Sequence, residues 1–220
     1  MIIDEHPSLD MCSYWRWRVA QHYNDSYAGI ELLKFPEDLR TYEHLMWSGK
    51  VNCVIEIGIA WGGSALWFRD RLVSGCRYYG GIPMMIGIDN NIDVAISTIK
   101  KTGFSMDSLE LVQGDVTDKN IPAIVQALIP NDSRVMVVED SAHLYSTTKA
   151  SLDLYSSMVP IGGFFIAEDG TLAQDWMRDS LGRYTPEVTH AVNDFLCTPN
   201  GEKWKRQRNV EFYGITAHPG

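Results

Sequence analysis

The chain reads as an α/β protein built on an open, mainly parallel sheet with helices on both faces. Three observations predict this. Short apolar, β-branched runs alternate with helical periodicities along most of the 220 residues. The runs carry few polar positions, as strands covered by helices on both sides require. Five of them end in a carboxylate, and the strand ends of such a sheet are where ligands are held.

The elements follow in order. The first 48 residues are rich in aromatics, including Tyr14, Trp15, Trp17, Tyr23, Tyr27, Phe35, Tyr42 and Trp47, and their pattern is helical. They predict a cap over the ligand edge, preceding a core over 49–220 within a single domain. The segment VNCVIEIGIAWGGSALWFRDRL (51–72) is a strand ending in Glu56, a turn with Gly58, Gly62 and Gly63, and then an amphipathic helix. MMIGID (84–89) predicts a second strand ending in Asp89, and LELVQGD (109–115) a third ending in Asp115. RVMVVED (134–140) predicts a fourth, ending in Glu139 and Asp140, and GGFFIAED (162–169) a fifth, ending in Glu168 and Asp169. Helical patterns occupy 92–101, 119–128 and 145–158, and VEFYGITAHPG (210–220) predicts a last strand element.

Composition narrows the function classes. A formal net charge of -9 disfavours nucleic acid and anionic membrane as partners, and no apolar run is long enough to span a bilayer. The acidic start MIIDEHPSLD does not read as a secretory leader. Cys12, Cys53, Cys76 and Cys197 are widely scattered, which predicts reduced thiols in a cytoplasmic protein. The aromatic N-terminal segment predicts a homo-oligomer, a dimer or larger.

The turn after the first strand spaces as E-x-G-x-x-x-G, unlike the G-x-G-x-x-G of dinucleotide sites. An acid there suits a ligand with a cationic head, such as S-adenosylmethionine. Asp89 is placed to accept bonds from ribose hydroxyls, and Asp115 to face the adenine. Asp140, Glu168 and Asp169 crowd neighbouring strand ends, where a hard divalent cation such as magnesium or calcium relieves their repulsion. His143, three residues after Asp140, reads as a general base, an added metal ligand or a bystander.

VIEIGIAWGGSALWF, IGID, QGD, EDSAH and GGFFIAED, with KFPEDLRTYEHL before them, resemble the cephalosporin-hydroxylase-like family of class I, S-adenosylmethionine-dependent O-methyltransferases, relatives of magnesium-dependent macrolide-sugar O-methyltransferases. The resemblance covers about residues 34–220. It implies a Rossmann-like, mainly parallel seven-stranded sheet. It implies cofactor contacts at Glu56, Gly58, Gly62, Ser64, Asp89 and Asp115, and magnesium ligation by Asp140, Glu168 and Asp169. The D-x-x-H step from Asp140 to His143 resembles the D-x-x-K of catechol O-methyltransferases, whose lysine is the general base. His143 takes that place, with Asp140 or Glu139 as alternatives. The implied reaction is metal-assisted methyl transfer to a hydroxyl of a sugar, a catechol-like compound or another small natural product. Two other readings compete with it. A non-haem iron hydroxylase needs two histidines and a carboxylate, with His190 or His218 recruited beside His143. A non-enzymatic binding module leaves the convergence of acids unexplained.

Overall fold

In a computed structural model, which describes Ser13 and residues 23–170 and 186–207, the fifth of the expected strands and the first lie in one sheet. The elements in chain order are β1 (Ser26–Tyr27), β2 (Ile30–Glu31), α1 (Pro36–Gly49), β3 (Cys53–Ile57), α2 (Gly63–Tyr79), β4 (Met84–Asp89), α3 (Asp93–Thr102), β5 (Leu109–Gln113), α4 (Ile121–Leu128), β6 (Val135–Glu139), α5 (Tyr145–Tyr155), β7 (Phe165–Ala167) and α6 (Glu187–Leu196). The five longer strands form one parallel sheet in the order β5-β4-β3-β6-β7.

Alternation along β3 sorts its side chains between two cores. Cys53, Ile55 and Ile57 join Ile86, Ile88, Val135, Val137 and, from α4 and α5, Val125 and Tyr155. Val54 faces the other way, with Met85, Met136 and Val138, against Leu66 and Phe68 of α2 and Ile99 of α3. Each such side chain contributes about 1.5–3 kcal/mol on burial, which dominates what holds the layers together. Glu56 shares Val54's side of the strand, so the sheet carries an acid, 0% exposed, inside an otherwise apolar layer.

Of the region expected as a helical cap, most of residues 1–22 lies outside the described residues, and residues 23–49 hold a hairpin followed by a helix. Residues 26–31 form a two-stranded hairpin pairing Tyr27 with Ile30. The two turn residues, Ala28 and Gly29, have φ of 54° and 81°, the left-handed values that a tight two-residue hairpin turn uses. Helix α1 starts at Pro36, a residue suited to the first helical position, and ends where Lys50 turns left-handed. Its Tyr42, Leu45 and Met46 pack into the same core as α2, so this helix belongs to the sheet's own layer. Seven strands are expected; five parallel strands and the hairpin are described, and the expected element at 210–220 lies outside the described residues.

Strand order reverses between β3 and β6. Open α/β sheets hold ligands in the crevice at such a switch point, beyond the strands' carboxyl ends. Gly58 and Asp140 follow those two strands.

Candidate active site

Gly58 closes the switch point. Its φ is +91°, and a Cβ there would lie 2.1 Å from the backbone oxygen of Asp140. Its N–H donates to Ile88 O at 2.8 Å, and Asp140 N–H donates to Ile57 O at 2.8 Å. Gly62, at φ +90°, turns the chain into α2. Asp89 braces the turn between them. Its Oδ2 accepts from Ile59 N (3.1 Å) and Ala60 N (3.2 Å), and its Oδ1 accepts from Asn91 N (2.9 Å). Asp115 lies on the same rim, because Gly114 N–H donates to Asp89 O at 2.9 Å. It is exposed, and its Oδ1 accepts from the amide and hydroxyl of Thr117, which lower its pKa. Asp89→Ala therefore removes the brace and any ribose contact together. Calorimetry with S-adenosylhomocysteine should show binding weakened by about 1.5–3 kcal/mol, and unchanged affinity would remove Asp89 from the site.

Glu56, Asp140 and Glu168 share one partner, which the sequence motifs did not single out. Lys34, only 2% exposed, places Nζ 2.6 Å from Glu168 Oε1, 2.9 Å from Asp140 Oδ2 and 3.4 Å from Glu56 Oε1. Tyr42 donates its hydroxyl to the same Glu168 oxygen. Burial alone would lower the Lys34 pKa; Asp140, Glu168 and Glu56 together push it well above its usual value, so the group is an ammonium. Asp140 is raised well above the carboxylate range by burial and by Glu168, against the pull of Lys34. Glu56 is raised to about 7 by burial, with Lys34 and Ser64 opposing. Apart from Lys34, the Glu56 oxygens have no hydrogen-bond partner. The signal for Lys34 was present in the sequence: a lone lysine inside the apolar stretch LLKFP, and a set of acids needing a cation.

Asp140, His143 and Asp169 form a second group, with one donor atom of each within 4.8 Å of the others. His143 and Asp169 both sit in the left-handed region, at φ 56° and 62°. Such conformations cost free energy in non-glycine residues and collect at functional sites. His143 Nδ1 lies 2.9 Å from Asp169 Oδ2, close in distance but without the alignment of a hydrogen bond. Burial would lower the imidazole's pKa; the contact and charge of Asp169, with Asp140 and Glu139, raise it to about 9. Glu168 stands outside this group, held by Lys34 and Tyr42. Glu139 is committed to the fold as well: it accepts from the amide and hydroxyl of Ser141 and from the Thr148 hydroxyl at 3.0 Å, so it is poorly placed as an alternative base. His190 lies on α6 outside the group, and His218 is beyond the described residues.

The donor set suits a hard divalent cation. Two carboxylates and one imidazole converge on a rim where like charges already repel, and carboxylate oxygens favour magnesium or manganese. Glu56 suits a cationic head: it is a buried carboxylate, paired only at 3.4 Å with Lys34, one strand away from the group.

Residues 19–219 match the family model for Rhamnosyl O-methyltransferase/CmcI. The chain belongs to this family. Among curated relatives, the rhamnosyl O-methyltransferases of Mycobacterium tuberculosis and Mycobacterium bovis are 24% identical over 196 residues, covering 88% of this chain and 75% of theirs. A solved CmcI in its Mg–SAM form superposes with a TM-score of 0.56 at 22% identity, over 89% of this chain and 78% of that one. A putative caffeoyl-CoA O-methyltransferase from Staphylococcus aureus gives 0.56 at 16% identity, over 87% and 84%. These structures share the Rossmann-like fold of class I methyltransferases with this family member.

Proposed function

We propose that this member of the Rhamnosyl O-methyltransferase/CmcI family transfers a methyl group from S-adenosylmethionine to a hydroxyl of a sugar or other natural product, with magnesium bound at the switch point. The observation that carries the reading is the meeting, at one strand edge, of the buried Glu56 carboxylate with the Asp140, His143 and Asp169 group. The family's description and the rhamnosyl acceptor named for the mycobacterial relatives support the substrate class.

S-adenosylmethionine supplies the methyl group, and magnesium supplies polarisation of the acceptor oxygen. The residues supply the rest. Glu56 takes the cofactor's amino group, and Ser64 stands beside it. Gly58 and Gly62 let the backbone pass close to the cofactor, while Asp89 and Asp115 face its ribose and adenine. Asp140 and Asp169 hold the metal, and Glu168 stands behind them on Lys34. His143, with Nδ1 beside Asp169, keeps Nε2 for the acceptor hydroxyl and takes its proton there. With a cation held by Asp140 and Asp169, the charges that keep the proton on His143 would be offset and the imidazole would serve as a base. One histidine with two aspartates departs from the two-histidine, one-carboxylate set of an iron hydroxylase among the described residues.

The test is methyl transfer from labelled S-adenosylmethionine to rhamnosides and related glycosides, with magnesium and with chelator. Transfer should need the metal, whereas S-adenosylhomocysteine should bind in both media. Full transfer in excess chelator would remove the metal from the mechanism, and no heat with S-adenosylhomocysteine on folded protein would remove the function. Asp169→Asn should lower magnesium affinity at least tenfold in calorimetry while the melting temperature changes little, because Asp169 lies on the rim; a loss of about 1.4 kcal/mol corresponds to that factor.

Assembly and location belong to the same reading. Trp47 (58% exposed) and Tyr78 (77% exposed) meet edge to face at 5.8 Å on the surface, with Ile82 also exposed. Such an apolar group suits contact between two copies. Light scattering should give a dimer or larger; the mass of the 24.9 kDa monomer at micromolar concentration would contradict it. No described helix is long and apolar enough to cross a membrane. The described cysteines Cys53, Cys76 and Cys197 are free, which suits a reducing cytoplasm.

A further inference from the structure

Lys34 reaches the site from outside the sheet. It follows the hairpin and precedes Phe35, which is 1% exposed and stands just before α1. The hairpin rests on the start of α2 so closely that a Cβ on Gly63 would lie 2.1 Å from Glu31 O. Leu32 N–H closes the hairpin onto Asp25 O at 3.1 Å. Leu32 and Phe35 are both buried, so the lysine between them is carried inward by its neighbours.

There one ammonium faces three carboxylates from three adjacent chain positions of the sheet: Glu56 in β3, Asp140 after β6 and Glu168 after β7. His143 and Asp169 meet one of these carboxylates, Asp140, from the rim. One ammonium is shared by three carboxyl groups, so Lys34 alone does not meet the full capacity of the cluster for cationic partners. Without any cation, three desolvated carboxylates so close together would be strongly unfavourable.

We propose that Lys34 is a built-in counter-ion: a positioning residue that holds Glu56, Asp140 and Glu168 together while metal and cofactor are absent, so that the ligand-free enzyme stays folded around an open acidic site. This rests on the function proposed above for the same site. Its consequence is a change in what magnesium does to the fold. With Lys34 present, the cation adds to a cluster already partly neutralised. Without it, the cation supplies compensation that the ammonium no longer gives, and binding to the native state raises stability by mass action.

The experiment compares thermal melting of the full-length wild type, Lys34→Met and Lys34→Arg, each in chelator and in magnesium, with calorimetric magnesium affinities. In chelator, Lys34→Met should melt roughly 6–20 °C below wild type, as breaking one side of a buried charge cluster does in a chain of this size. Magnesium should recover about half of that loss or more, and should bind more tightly to Lys34→Met than to wild type, since no ammonium opposes it. Lys34→Arg should behave like wild type. An equal loss of melting temperature in both media, or magnesium affinity no tighter than wild type, overturns the proposal and leaves Lys34 a packing residue. If Lys34→Met does not fold, the double variant Lys34→Met with Glu168→Gln, which removes one charge of each sign, should fold; if it also fails to fold, the proposal is overturned. Wild type that binds S-adenosylhomocysteine and needs magnesium for transfer, alongside a Lys34→Met that loses stability equally in both media, rejects the counter-ion and keeps the methyltransferase. Wild type without cofactor binding rejects the methyltransferase, and the melting comparison still decides the role of Lys34.

Discussion

His143→Ala should lower kcat by about 10²–10⁴, the range for a lost general base, while S-adenosylhomocysteine affinity stays unchanged. The reason is geometric. Among the described residues, His143 is the histidine that the fold brings to the acids, its Nδ1 lies 2.9 Å from Asp169, and Glu139 is committed to Ser141 and Thr148. The measurement is a pair of experiments, single-turnover methyl transfer and magnesium titration. Slow transfer with intact magnesium affinity is the outcome for a base. Loss of magnesium binding would make His143 a ligand alongside Asp140 and Asp169, and normal values of both would make it a bystander. Its left-handed backbone adds a control: His143→Asn keeps a residue tolerant of that conformation and should still lose the rate.

Gly58→Ala should strongly destabilise the fold. The new Cβ would need the space 2.1 Å from Asp140 O and 2.9 Å from Ser141 Cα, both backbone atoms that cannot swing aside as a flexible side chain can. The left-handed φ of +91° adds its own cost. Together these predict destabilisation of roughly 2–5 kcal/mol, seen as a melting temperature lower by about 5–20 °C. Because the strand carrying Asp140 must move to make room, magnesium affinity should fall in parallel. A variant with wild-type melting temperature and metal binding would show that β3 and β6 do not approach at the switch point as described.

Much of this protein was legible along the chain. Strands β3 to β7 and helices α2 to α5 fall where continuous apolar runs and helical periodicity place them, because burial against two helical layers imposes those patterns locally. The acids were legible as a set, since a parallel sheet sends every strand end to one rim. Their individual partners were not. Asp89 bends back to the amides of Ile59 and Ala60, Glu168 turns to Lys34 and Tyr42, and Glu139 faces the helix that follows its strand. Such pairings depend on side-chain directions set by packing between distant segments. The hairpin at 26–31 escaped the reading because two-residue strands carry no periodicity, and its turn uses alanine at a position where asparagine or glycine is the usual sign.

By itself, the sequence determined the layer architecture, the glycine turn, the anionic rim and membership in the Rhamnosyl O-methyltransferase/CmcI family, all of which rest on patterns read within a few dozen residues. Only the tertiary structure decided how the rim's charge is balanced. Lys34 and Glu168 are 134 positions apart, yet their charged atoms meet at 2.6 Å. Local patterning does not encode that meeting: it follows from the hairpin seated on α2 and the buried Phe35, which carry an ammonium into a sheet edge whose carboxylates would otherwise face one another without a cation.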